Sequence, residues 1–238
     1  RVLTIVPPQP QVTSQGAALH GSPVWNARGF TGSGVKVGII DVGFIGYSGL
    51  MGTELPSTVV VRCYTSIGIS TSNLADCETD DVHGTAVAEA VVDVAPAVSL
   101  YISNPPSKGD LQNTAAWMVS QGVTVINHSV SWNWDGPGNG TSPYSNSPLN
   151  SVDSAVAGGT VWANSAGNAA ERNWFGSYSN TDSDGWLEFS GGDETNNVSL
   201  TQGQTFDAWL RWDDSWGTAA RDFGLYLYDP TLPPVLVS

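Results

Sequence analysis

The stretch Val35 to Asp41, VKVGIID, constrains this chain more than any other part of it. It is β-branched, nearly all apolar, and follows the turn signal GFTGSG. A strand apolar on both faces has to be covered on both sides, which is the situation of a buried parallel sheet. The chain downstream supplies the cover. His83 to Val94 (HGTAVAEAVVDV) places Ala and Val at helical spacing and stops before Pro96. VSLYIS (98–103) reads as a strand, Leu111 to Gln121 as a helix with Asp110 as its N-cap, and VTVIN (123–127) as a further strand. Leu149 to Ala157 reads as a helix and TVWANSAG (160–167) as another strand end. Strand and helix alternate, so the spacing predicts an α/β fold: a mainly parallel sheet flanked by helices.

After about Trp174 the pattern changes to short alternating segments such as VSL, TFDAWLRW and FGLYLYD, separated by Gly, Asp and Asn clusters. That is the signature of an antiparallel β-sandwich. The expected organisation is a first domain over 1–175 and a partial sandwich over 176–238. The last strand, VLVS, reaches the C-terminus with nothing to close it, so the sandwich is expected to be truncated.

Charge excludes whole classes of function. Against 22 acidic residues stand 8 basic ones, a formal net charge of −14. Such a surface repels phosphate backbones, so no nucleic-acid partner is expected. Lys36 and Lys108 are the only lysines, which excludes a polybasic membrane patch, and no apolar run approaches the ~20 residues of a membrane span. The chain opens on Arg1 with no signal-peptide pattern, so a processed or trimmed product is expected. Few lysines and a low pI suit a secreted, extracellular protein. Cys63 and Cys77, the only cysteines, flank a polar loop and fit a disulfide in an exported protein. Two separate free thiols are the bland alternative. A metal site is disfavoured because two Cys without a nearby second His supply too few ligands.

Three residues stand out as carriers of chemistry. Asp41 ends a strand of a parallel sheet, where functional groups gather. The glycines nearby precede the strand and lack GxGxxG spacing, which removes a dinucleotide site. By itself an acidic strand end is most often a loop cap. His83 opens a helix with the small residues Gly84, Thr85 and Ala86 behind it, a place suited to an imidazole acting as a base. The bland reading is a helix cap. In ANSAGNA (163–169) the side-chain amide of Asn168 projects from a Gly-flanked loop and can donate to a developing oxyanion, though such an Asn is ordinarily a turn former.

Taken in order, GSGVKVGIIDVG, VHGTAVAEAV, VINHSVSW and ANSAGN resemble the aspartate, histidine, substrate-strand and oxyanion motifs of the subtilisin-like peptidases, the subtilases. The resemblance covers about residues 15 to 170. It implies that Asp41 orients the imidazole, that His83 is general base and then acid, and that Asn168 donates to the oxyanion. It further implies that Ser129, Val130 and Ser131 pair with an extended protein or peptide substrate, and that Ser165, Ala166 and Gly167 line the specificity pocket. The tail, with GWLEFSGGDETNNVSL and DFGLYLYD, resembles a sandwich inserted in some bacterial subtilases.

The sequence departs from the family in three places. Val42 stands where Ser or Thr is usual, and Ser131 where Gly is usual. Nothing matches the family's Gly-Thr-Ser-Met-Ala-x-Pro serine segment; Ser142, in Gly140-Thr141-Ser142-Pro143, precedes Asn168 and reads as a loop serine. The expectation is a secreted serine endopeptidase in which these residues supply Asp, His and the oxyanion Asn, and a C-terminal fragment supplies the serine. The alternative is a catalytically inactive binding or scaffolding protein on the same fold. No cofactor is required. Calcium is a candidate ligand for the acidic pairs Asp182/Asp184, Asp193/Glu194 and Asp213/Asp214. Trp186, Trp209, Trp212 and Trp216 are either sandwich core or stacking platforms.

Overall fold

The computed structural model describes residues 14–132, 135–168, 173–203, 205–229 and 235–236. The chain divides into two compact units, Arg1–Ser165 and Ala166–Ser238. The division falls after Ser165, where the change of sequence pattern suggests 175.

In the first unit the strands are β1 (Lys36–Ile40), β2 (Val60–Val61), β3 (Cys63–Tyr64), β4 (Ser70–Thr71), β5 (Ser99–Ser103), β6 (Val125–His128) and β7 (Val161–Asn164). The helices are α1 (Gln15–Leu19), α2 (Ser22–Ala27), α3 (Tyr47–Leu50), α4 (His83–Val94), α5 (Lys108–Ser120) and α6 (Pro148–Ala157). Five strands make one sheet in the order β2-β5-β1-β6-β7, with every pairing parallel. β3 and β4 form a separate antiparallel pair.

The double burial expected of VKVGIID is met by period-2 alternation. Val37 and Ile39 pack with Leu100, Ile102 and the α4 residue Ala88. Ile40 points the other way and packs with Tyr101, Ile126, Leu111 and Met118 of α5 and Ala155 of α6. Ile39, Ile40, Ile102 and Ile126 are wholly buried, and each such side chain stabilises the fold by about 1.5–3 kcal/mol.

Helix α4 spans the predicted residues. Helix α5 starts earlier than predicted: its N-cap is Ser107, whose Oγ accepts from the Asp110 backbone N–H at 3.2 Å and donates to the Asp110 carboxylate at 2.6 Å. Asp110 therefore lies within the first turn, where its charge complements the helix dipole. Helix α6 is capped by the Ser147 side chain and has Pro at its first position, where no N–H is needed.

The strand order reverses at β1. The chain fills one side with β2 and β5, then crosses to place β6 and β7 on the other. At such a switch point a crevice opens beyond the carboxyl ends of the strands. Asp41, Asn104 and Ser129 directly follow β1, β5 and β6 there.

In the second unit Tyr228–Asp229 pairs antiparallel with Val235–Leu236, and a single bridge joins Ser190 to Asp193. Among the described residues TFDAWLRW forms no strand and FGLYLYD only its last two residues, so the expected sandwich is not displayed there. Alternation marks a segment able to half-bury itself, but a ladder also needs a partner strand in register. Residues 237–238 of the expected terminal strand lie outside the described residues. No helix among the described residues is long and apolar enough to cross a membrane.

Candidate active site

Asp41 extends the β1 ladder by one hydrogen bond, its N–H donating to Ser103 O at 3.1 Å. The residue is 1% exposed. Its Oδ1 accepts from the Val42 N–H at 2.8 Å. Past Val42 the backbone turns hard against the segment leading into α4. A Cβ on Gly43 would lie 1.9 Å from Thr79 O and 2.6 Å from Asp81 N, so only glycine fits.

The first turn of α4 is locked to this turn from the other side. The Gly84 N–H donates to Gly43 O at 2.9 Å, and the Thr85 hydroxyl donates to Ile45 O at 3.1 Å. A Cβ on Gly84 would lie 2.5 Å from Gly43 O and 2.9 Å from Asp41 Cβ. The Asp81 carboxylate takes the His83 N–H at 3.0 Å, satisfying a backbone donor left open at the helix start. These contacts place His83 Nδ1 at 2.9 Å from both Oδ1 and Oδ2 of Asp41.

The two partners sit in different surroundings. The Asp41 side chain is sealed, whereas the His83 side chain is 51% exposed. Burial pushes the Asp41 carboxyl up; the hydrogen bonds from His83 and Val42 pull it down, and the Asp81 charge pushes it up again, with a net rise. With Nδ1–H donated to the carboxylate, Nε2 is the acceptor end of the ring.

The cysteines are joined: Cys63 and Cys77 form a disulfide with Cα atoms 4.9 Å apart. Cys77 O accepts the Phe44 N–H at 2.8 Å, and the Asn104 side chain donates to Asp76 O at 3.0 Å. The cross-link thus ties the loop that delivers Thr79 and Asp81 to the turn after Asp41.

Ser129, Val130 and Ser131 continue past the end of β6, beyond the β6–β7 ladder. With Asp41, Val42, Asp80, Pro105, Pro106, His128 and Trp132 nearby, Val130 and Ser131 line a cleft of about 320 Å³. Ser165 donates its N–H to His128 O at 3.1 Å. So the first unit brings Asp41 and His83 into contact and holds Ser129, Val130, Ser131 and Ser165 on the same strand ends. Ala166, Gly167 and Asn168 belong to the second unit; Gly167 has φ +85°, a left-handed turn that suits glycine, and Asn168 follows it. Ser142 is engaged within its own loop, donating to Asp135 O at 2.6 Å and accepting from the Tyr144 N–H.

Residues 32–201 match the profile of the subtilase family. The chain belongs to the subtilase family. A protein of Deinococcus radiodurans named as a subtilase-type serine protease is 31% identical over 195 residues, 69% of this chain and 25% of the relative. The subtilase chain described here thus spans about a quarter of the length of that relative. Among solved structures it is similar to a lanthipeptide protease (22% identity, 64% of this chain and 45% of that one, TM-score 0.44). It is also similar to the nisin leader peptidase NisP from Lactococcus lactis (20% identity, 56% and 44%, TM-score 0.37).

Sequence reasoning missed one buried group at this subtilase's strand ends. His128 is 2% exposed and hydrogen-bonded to both Asn164 and Trp132. A signal was present: an ionisable side chain two residues after Ile126 falls on the same buried sheet face.

In the second unit the carboxyls of Asp182, Asp184 and Glu194 lie within 4.8 Å of one another. Two of the other acidic side chains singled out, Asp193 and Asp214, are engaged as turn caps. Asp193 accepts from Thr195, and Asp214 from the backbone of Ser215, Ala220 and Arg221. Trp186 packs edge-on against Tyr226 and Tyr228, and Trp212 against Phe223.

Proposed function

We propose that this chain is the aspartate- and histidine-bearing part of a secreted serine endopeptidase. The observation that carries the reading is the pairing of a sealed carboxylate with a half-exposed imidazole at 2.9 Å. A carboxylate held on Nδ1 fixes the tautomer in which Nε2 can take a proton from a nucleophile, and it stabilises the imidazolium that results. The serine would come from sequence outside these 238 residues. Its oxygen attacks the scissile carbonyl while its proton passes to His83 Nε2. The carbonyl oxygen becomes an oxyanion, to which the Asn168 amide donates. His83 then returns the proton to the departing amine, and water repeats the cycle on the acyl-enzyme. Ser129, Val130 and Ser131 would pair with an extended protein or peptide substrate, with Ser165, Ala166 and Gly167 beside the cleaved bond. The chemistry needs no cofactor. The disulfide supports an oxidising, extracellular setting.

The test is labelling of the intact protein with a fluorophosphonate, read by intact mass. One probe mass on the parent and none on His83→Ala is the expected result. A folded, full-length protein that takes no label and cleaves no peptide would make this a binding or scaffolding subtilase instead.

A further inference from the structure

We propose that His128 is a positioning residue of the substrate cleft: a neutral imidazole carrying its hydrogen on Nδ1 clamps the Trp132 indole in place as a wall of the cleft beside Asp41. Its functional part rests on the peptidase reading above; the clamp itself rests on geometry.

Trp132 Nε1 lies 3.1 Å from His128 Nε2. An indole N–H can only donate, so Nε2 must accept and carries no hydrogen. On the other side of the ring, His128 Nδ1 lies 2.6 Å from Asn164 Oδ1. The orientation of that amide is set independently, because Asn164 Nδ2 donates to Ser165 O at 2.9 Å. Nδ1–H therefore donates to an amide oxygen and Nε2 accepts from an indole. A ring protonated on both nitrogens would set one N–H against another and release Trp132.

The surroundings favour the neutral ring. His128 is sealed, and Trp162 stands edge-on to it with ring centroids 5.5 Å apart. Burial pushes the imidazole below its ordinary range, while the Asn164 hydrogen bond and the Asp41 charge act the other way. Among the described residues the charged group acting on it is Asp41, at the end of β1. β7 brings the neutral Asn164 and Trp162, and the segment after β6 brings Trp132. The helices α5 and α6 cover this sheet face with Leu111, Met118 and Ala155.

The clamp matters because of where Trp132 sits. Beyond His128 the chain has left the ladder, and residues 129–132 have no regular structure to dictate a side-chain position. A buried acceptor reaching the indole N–H supplies that constraint. The held ring lines the cleft with Val130, Pro105 and Pro106, giving a flat apolar wall suited to an apolar side chain of an extended peptide.

The test uses the intact protein and two independent readouts. Histidine-selective 15N NMR, with the His128 signal assigned by its loss in His128→Gln, should show the Nδ1–H tautomer, uncharged at pH 7. Trp132→Phe removes the competing N–H, so His128 should protonate at higher pH in that variant. An Nε2–H tautomer, a charged ring at pH 7, or an unmoved titration in Trp132→Phe overturns the clamp. The second readout is a matched series of fluorogenic peptides with Ala or Leu at each position before the cleaved bond. His128→Phe should lower the Leu-over-Ala preference at one position by about ten-fold, the change appearing in KM. His128→Gln, which keeps an oxygen able to accept from Trp132, should recover most of it. An unchanged preference, or a loss confined to kcat, overturns the cleft role. If the parent cleaves no peptide, the peptidase reading fails and the cleft role with it, while the NMR result still decides the clamp.

Discussion

His83 Nδ1 is equidistant from the two carboxylate oxygens of Asp41, 2.9 Å from each. Forty-two positions of chain separate the two residues, yet the contact is held by backbone on both sides: Gly43 meets the approach to α4, and Gly84 meets the turn after β1. Asp41→Asn would keep the shape but place an amide against the ring, favouring the wrong tautomer. Peptidase turnover by the intact protein should fall by roughly 10⁴-fold with circular dichroism unchanged. A loss of less than about ten-fold would remove Asp41 from the mechanism.

Gly84→Ala tests the backbone half of that contact. The added Cβ meets Gly43 O at 2.5 Å and the Phe44 ring at 2.8 Å, and the backbone oxygen cannot swing aside as a flexible side chain could. Overpacking of this kind costs about 1–3 kcal/mol. Urea denaturation should show that loss, and turnover should drop with it because the helix start must move away from Asp41. Gly49→Ala, where nothing beyond its chain neighbours and its own helix backbone lies within 4 Å of the new Cβ, is the control.

The disulfide should matter to both stability and rate. Cys63 and Cys77 lie 14 positions apart, and closing a loop of that size stabilises a fold by about 3 kcal/mol through the unfolded chain. The double variant Cys63→Ser with Cys77→Ser should therefore melt several degrees lower. It should also turn over more slowly, because the loop bearing Asp81 loses its tether. A melting temperature unchanged in the double variant would show that the cross-link contributes nothing.

Stability should depend on pH through His128. Burial lowers its pKa in the folded chain, so below the ordinary value of about 6.5 the unfolded chain binds more protons than the native one. The stabilisation is complete above that value and is lost as pH falls through it toward the folded-state pKa. The slope is at most about 1.4 kcal/mol per pH unit. Asp41 works in the opposite sense at lower pH, because burial raises its pKa and its contribution grows as the carboxyl protonates. Urea denaturation between about pH 7.5 and 5 should give a flatter profile for His128→Gln than for the parent; equal slopes would place the titrating group elsewhere.

Much of this arrangement is readable along the chain. The doubly apolar VKVGIID demanded a sheet covered on both faces, and α4 on one side with α5 and α6 on the other meet that demand. The bounds of α4 follow from small residues at helical spacing and a proline past its end. The start of α5 is not legible in the same way: Ser107 and Asp110 are both capping residues, and local sequence does not say which N–H each will meet. β6 runs one residue beyond VTVIN because His128 joins the ladder through Ile40 and Asn164 on its neighbours.

The sequence by itself determined the alternation of strand and helix, the acidic surface, the order of the motifs and the presence of one cysteine pair. These are properties of neighbours in the chain, where periodicity and residue type act directly. Tertiary structure alone decided that Asp41 is sealed while His83 stays half exposed, and that His128 is buried between an indole donor and an amide oxygen. Both depend on strands and helices far apart in sequence meeting at one end of a sheet, where burial and hydrogen-bond partners, rather than residue type, set what an ionisable group can do.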